Sequence, residues 1–231
     1  MSIKKGTTNV IPKGYKAVYK GSTKVFETGN PAPASTKVLC HFESNLNNEV
    51  SGQANMTTTA SILYKTGKFD LCTYNCNGAY KVPAFTKTAQ QRNTESFTIA
   101  YWCNSFGLSN NTSAPNMFRL RSSWWEWTSY DSANQCVNLG SATNTKVKSI
   151  TNDYLDEGWH YITYCFNSGT AYLFFDGELI TTATNLSLSS NPAQDFGIYP
   201  NTYTNGFDEF LYCDECLYTS DFTPPTKPYT I

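Results

Sequence analysis

Arg119, Arg121, Trp125 and Trp127 are the residues of this sequence whose types and spacing best suit holding a ligand. Side chains two apart in an extended strand share a face. Over residues 117–127 that spacing groups Arg119, Arg121, Ser123, Trp125 and Trp127 on one side. Phe118, Leu120, Ser122 and Trp124 fall on the other. Flat indole rings offer an apolar face to a sugar ring. Guanidinium forks supply planar, paired donors for its oxygens. Tyr130 and Tyr203 are candidates for the rim. A plainer reading stands beside this one. Three tryptophans within four positions cannot all be exposed cheaply, so Trp125 or Trp127, or both, fill a core, and the two arginines are solvated.

Hydrolytic chemistry finds less support. Acid and nucleophile roles on one strand face need paired carboxylates. Glu126 and Asp131 are five apart, and Asp208 and Glu209 are adjacent, which in a regular strand sends them to opposite faces. The only histidines are His41 and His160, and no Gly-x-Ser-x-Gly elbow exists. Nothing marks a cysteine with a positioned base. The chain is expected not to be an enzyme, with no catalytic residues.

Eight cysteines remain to be placed. Cys40, Cys103 and Cys165 sit inside hydrophobic strand patterns, where a reduced thiol behaves as a small apolar group. No apolar stretch follows Met1-Ser2-Ile3-Lys4-Lys5, so folding in a cytoplasm with reduced thiols is the expectation. Cys72-x3-Cys76 with Cys213-x2-Cys216 leaves a four-thiolate zinc site as the alternative.

The elements that must position these residues centre on 159–180. Trp159–Phe166 and Ala171–Phe175 are rich in aromatic and β-branched residues, and Asn167-Ser168-Gly169-Thr170 separates them. Asp176-Gly177 turns the chain again into Glu178-Leu179-Ile180. The pattern predicts a three-strand meander. Hydrophobic content of 40% and aromatic content of 15% suit an all-β domain with a Thr/Asn/Ser-rich surface. No run approaches the ~18 apolar residues of a membrane span.

The order Trp159-His160-x-Ile162, long strand, polar turn, second strand and Asp176-Gly177 resembles the centre of laminin-G-like, concanavalin A-like jelly-roll domains. Asn167-Ser168 stands where those domains often carry Asp-Gly. His41-Phe42-Glu43-Ser44-Asn45-Leu46-Asn47 is similar to their first strand and following loop. Ser96–Trp102 is similar to "F-T-I-S-F-W", and Phe207-Asp208-Glu209-Phe210-Leu211-Tyr212 to their last strand. The resemblance spans residues 38–222. It implies a jelly-roll β-sandwich of two antiparallel sheets. It also implies a structural Ca²⁺ where first and last strands meet, at Glu43 and Asp208, with Asn45, Asn47 or a loop carbonyl before Lys68 completing the shell.

Residues 1–30 read as a small β arm. Lys5-Gly6-Thr7-Thr8-Asn9-Val10-Ile11 recurs as Lys20-Gly21-Ser22-Thr23-Lys24-Val25-Phe26, with strand-like Tyr15–Tyr19 between. These units resemble β repeats at the ends of bacteriophage tail and other virion proteins. So short an element buries no core alone. It docks on a partner, or else it is an ordinary hairpin on the sandwich. Residues 1–37 carry seven lysines against Glu27, while 38–231 carry ten basic and seventeen acidic residues. The arm lacks arginine and a dense basic run, so protein docking is favoured over nucleic acid. Residues 31–37 form a Pro-containing linker, and 223–231 an extended tail.

Together these readings predict a bacteriophage virion protein, in a tail, fibre or head decoration. It is made in the host cytoplasm, is oligomeric in the particle and does not insert in a membrane. The arm would hold other virion proteins and the sandwich would attach to host-surface carbohydrate. A purely structural subunit is the alternative, and a carbohydrate-active enzyme the less favoured one.

Overall fold

The computed structural model describes residues 17–20, 23–27, 29–58, 61–74, 80–82, 96–104, 116–119, 127–131, 136–141, 144–149, 158–185, 196–198 and 206–231. They form strands, turns and loops, with no helix among them. An eight-stranded sheet contains β4 (Thr36–Cys40), β6 (Leu63–Thr66), β7 (Leu71–Tyr74), β9 (Ser96–Asn104), β14 (Trp159–Asn167), β15 (Thr170–Phe175), β16 (Glu178–Ala183) and β18 (Gly206–Cys213). A seven-stranded sheet contains β5 (Thr57–Thr58), β8 (Tyr80–Val82), β10 (Asn116–Arg119), β11 (Trp127–Asp131), β12 (Cys136–Ser141), β13 (Asn144–Ser149) and β17 (Phe196–Ile198). All pairings within both sheets are antiparallel. The protein is an all-β sandwich, as its sequence predicts.

The meander forms as its turn chemistry dictates. Strands β14, β15 and β16 are consecutive neighbours. Ser168 and Gly169 join the first pair at φ 44° and 88°, and Asp176 and Gly177 the second at 48° and 83°. Two successive positive φ values match the twist of the flanking strands. Asp176 is held there by its own carboxylate, which accepts from Tyr161 N at 2.8 Å and meets His160 Nδ1 at 2.6 Å.

The inter-sheet core is aromatic. Phe97, Tyr101, Tyr164, Phe166, Phe175, Phe207, Phe210 and Tyr212 of the eight-stranded sheet join Tyr80 of β8. Phe97 stacks on Phe166 with centroids 5.2 Å apart. Full burial of one such side chain contributes roughly 1.5–3 kcal/mol.

A second apolar layer lies on the other face of the same sheet. Leu39, Ala100, Trp102, Tyr161, Leu211 and Cys213 cluster there with Tyr229, and Leu217 and Phe222 pack against them. The C-terminal segment covers this face. Its strand β19 (Tyr229–Thr230) pairs in parallel with β3 (Asn30–Pro31). The Tyr229 hydroxyl meets that of Tyr161 at 3.0 Å. Double-sided cover explains why β9 and β14 are buried along nearly their whole length rather than at alternate positions.

Gly177 fixes where this strap crosses. Its carbonyl accepts from Phe222 N at 2.9 Å. A Cβ at Gly177 would lie 2.0 Å from Phe222 O.

The N-terminal arm is described over β1 (Ala17–Lys20) and β2 (Thr23–Glu27), an antiparallel hairpin forming a sheet of its own. Residues 1–16, including the first repeat unit, lie outside the described residues.

Candidate functional site

Two places on the sandwich carry the residues singled out by the sequence. The first is a gap in the ladder along β18. One edge of β18 pairs with β7 at Gly206 and Phe207, then with β4 from Phe210 onward. Asp208 and Glu209 fall between the two partners. On the opposite edge the register to β9 shifts between Asp208 and Leu211. Glu209 takes φ 54°, so the strand bulges. The bulge corrects the strict alternation expected from adjacency. Phe207 and Phe210, three apart, both enter the inter-sheet core, and Asp208 and Glu209 are buried between them, at 0% and 1% exposure.

Buried carboxylates need partners, and neighbouring segments supply them. Glu209 accepts from Tyr229 N at 2.8 Å and from His41 Nδ1. Asp208 Oδ2 accepts from Phe69 N at 2.9 Å. Glu43 accepts from Leu71 N, at 3.0 and 3.2 Å to its two oxygens. Phe42 and Ser44, each at φ 62°, turn the chain so that Glu43 reaches that loop. The loop is tight, with Gly67 N donating to Asp70 O at 2.9 Å. A Cβ on Gly67 would lie 2.5 Å from Asp208 Oδ2 and 2.8 Å from Leu71 O, so only glycine lets the loop close over the carboxylate. Lys68 Nζ, 4.0 Å above the Trp102 ring, anchors its outer side.

The electrostatics follow from this crowding. Burial pushes the Asp208 carboxyl up to about 7; the Phe69 amide opposes the rise, and the charges of Glu209 and Glu43 add to it. Burial also raises Glu43, against the Leu71 amide. For His41, burial disfavours the imidazolium, but the bonded Glu209 carboxylate outweighs it and holds the pKa above its ordinary value.

Asp208 Oδ1 is buried with no hydrogen-bond partner among the described residues. An orphaned carboxylate oxygen beside a second carboxylate fits a hard cation, whose ligands are oxygens. No three His, Cys, Asp or Glu side chains converge as a metal site among the described residues. A cation here would therefore rest on Asp208, Glu43 and backbone carbonyls. The structure brings Glu43 and Asp208 against one loop. It places Asn45 and Asn47 in a local turn, with Asn45 Oδ1 accepting from Asn47 N at 2.7 Å. The sequence reading missed Glu209 and His41 as partners in this cluster. The signal was the His41-Phe42-Glu43 and Asp208-Glu209 pairing of polar residues inside apolar strands.

The second place is the centre of the seven-stranded sheet. Arg119 closes β10 and Trp127 opens β11, and the two are register partners across that pair. Sequence periodicity put them on one strand face. The structure divides them between neighbouring strands and sets them opposite each other. Arg119 also faces Gly197 of β17 in register, and Trp127 faces Gly140 of β12. Arg121, Trp125 and Tyr203 lie outside the described residues.

Among the described cysteines, Cys40, Cys72, Cys103, Cys165 and Cys213 are buried free thiols and Cys216 is a half-buried one. Cys213 meets Thr36 Oγ1 at 3.5 Å, while Cys216 points to Tyr218 O at 3.5 Å. Cys76 lies outside the described residues.

No protein-family model matches the sequence, and no curated protein matches it. Solved structures do. The chain aligns over 80% of its length with the binding domain of Paraclostridial Mosquitocidal Protein 1, at TM-score 0.61 and 13% identity. Domain 4 of AbnA, a GH43 extracellular arabinanase from Geobacillus stearothermophilus solved with arabinotriose, aligns over the same share at TM-score 0.60 and 13% identity. The ligand-binding domain of botulinum neurotoxin serotype D, solved with N-acetylneuraminic acid, gives 0.60 and 11%. The chain spans 94% of the arabinanase domain but only about half of the mosquitocidal-protein and neurotoxin domains, 50% and 48%. At these identities the likeness establishes a shared β-sandwich fold.

Proposed function

We propose that this chain is a carbohydrate-binding, laminin-G-like sandwich displayed on a bacteriophage particle, without catalytic activity of its own. The observation that carries the reading is the Arg119–Trp127 register pair at the centre of a sheet in a sandwich of this type. The register sets an arginine opposite a tryptophan, two residue types that supply the planar donors and the flat ring a sugar needs. Two sandwiches of the same fold, the arabinanase domain and the serotype D toxin domain, were solved with sugars, which supports the ligand class. Arg121 and Trp125 are the further carbohydrate-binding candidates of this reading. In this reading Glu43 and Asp208 hold a structural Ca²⁺, which would supply positive charge where buried carboxylates crowd together.

The virion part rests on the arm. The β1–β2 hairpin pairs only with itself among the described residues, and its repeat resembles virion β repeats. Residues 1–30 dock on other virion proteins, several copies share one particle, and the sandwich faces the host surface. Adsorption competition tests the whole. Excess purified chain should block particle adsorption to host cells, and periodate oxidation of cell-surface sugars should abolish its own cell binding. Unchanged adsorption with excess chain would leave a purely structural subunit.

A further inference from the structure

We propose that Cys165 and Cys216 form an oxidisable pair that closes as a disulfide and fastens the C-terminal strap to the outer face of the eight-stranded sheet. Cys165 lies in β14, in register with Thr98 of β9. The Thr98 hydroxyl lies 3.3 Å from Cys165 Sγ. The same hydroxyl donates to Glu215 O at 2.7 Å and accepts from Leu217 N at 2.9 Å. One side chain therefore clamps the residues on both sides of Cys216 over the strand pair that carries Cys165. The two thiols meet there in a side-chain hydrogen bond.

Cys216 is unlike the other described thiols. Cys40, Cys72, Cys103 and Cys213 are buried. Burial raises their pKa values, to about 12, 11 and 11 for Cys40, Cys72 and Cys213 and further for Cys103. Cys216 is partly exposed. Its hydrogen bond with Cys165 lowers its pKa. A reactive cysteine needs both access and thiolate character. Burial raises Cys165, so it enters second.

The chemistry is exchange with a low-molecular-weight disulfide, RSSR. The Cys216 thiolate attacks one sulfur and expels RS⁻, which leaves a mixed disulfide. Cys165 then loses its proton and its sulfur attacks Cys216 Sγ, releasing the second RS⁻. Two thiols of the protein and RSSR become one protein disulfide and two RSH. The two electrons lost by the protein are gained by the small disulfide.

Closure matters because of what the strap carries. Between Cys216 and Phe222 it brings Tyr218, stacked on Phe222 at 3.6 Å, and Phe222 packs on the buried Phe174. A bond at Cys216 holds this aromatic cover down.

The test uses the full chain, reduced, desalted and incubated with oxidised glutathione, then mapped by non-reducing peptide mass spectrometry. The expected product is one cross-linked pair containing Cys165 and Cys216. The melting temperature should rise by about 4–16 °C and fall back on reduction with dithiothreitol. Cys165→Ser should stop at a glutathione adduct on Cys216, and Cys216→Ser should leave Cys165 unmodified. A persistent adduct on Cys216 of the wild-type chain, a cross-link between other cysteines, or no reaction would overturn the pairing. A Cys165–Cys216 bond with no rise in melting temperature would overturn the fastening.

Discussion

Asp208 should make the cation-free protein less stable as pH rises. Its carboxyl has an ordinary pKa of 3.8 and one of about 7 in the fold. At pH 5 it is protonated when folded and ionised when unfolded, so folding takes up a proton. A raised folded value gives stability that is fully present below 3.8 and is lost as pH climbs through about 7. At about 1.36 kcal/mol per unit, the loss totals about 4 kcal/mol, of which roughly 3 kcal/mol falls above pH 5. His41, also raised, contributes a decline of the same sign. Urea unfolding in chelator at pH 5, 6, 7 and 8, followed by tryptophan fluorescence, measures it. Asp208→Asn holds position 208 neutral at every pH. The variant should lose most of the decline and be more stable than the wild-type chain at pH 8. Calcium should reverse the order, because it binds the ionised wild-type site. At a hundredfold excess over Kd it adds about 2.7 kcal/mol. Equal pH slopes for the two proteins would refute the reasoning from Asp208 burial. No effect of calcium on the wild-type chain at pH 8 would remove the cation from the account.

Two further outcomes follow from backbone geometry and the arm. Gly177→Ala puts a Cβ at positive φ and against Phe222 O, so it should cost about 1–3 kcal/mol, read as a lower urea midpoint with the strap loosened. Deleting residues 1–30 removes the β1–β2 hairpin and the β3 residue Asn30 that pairs with Tyr229. The sandwich should stay folded by circular dichroism, and particle incorporation should be lost.

Much of this fold was legible in the sequence, for local reasons. Ser168-Gly169 and Asp176-Gly177 announce their turns, and the aromatic runs between them can only be strands. Glu43 and Asp208 were placed near each other by resemblance. The structure adds the loop around Gly67 that both carboxylates grip. The bulge at Asp208–Glu209 was not legible. It arises where β18 changes partner from β7 to β4, a property of sheet order rather than of two adjacent acids. The strap was missed for a similar reason. Tyr229 pairs with Asn30 across almost the whole chain, and neither Pro224-Pro225 nor Pro228 suggests a strand. A trace of it was visible, because Ile99-Ala100-Tyr101-Trp102-Cys103 has no polar position and so needs cover on both faces.

A glycan array probed with the full chain and with Trp127→Ala tests the central claim most directly. Trp127 opens β11 opposite Arg119, so its loss should remove the stacking surface while leaving the β-sheet circular dichroism unchanged. The account predicts binding to a defined sugar class by the wild-type chain and its loss, by tenfold or more (about 1.4 kcal/mol), in the variant. Glycan binding that survives in a folded Trp127→Ala chain, or no glycan bound by the wild-type chain, would contradict it.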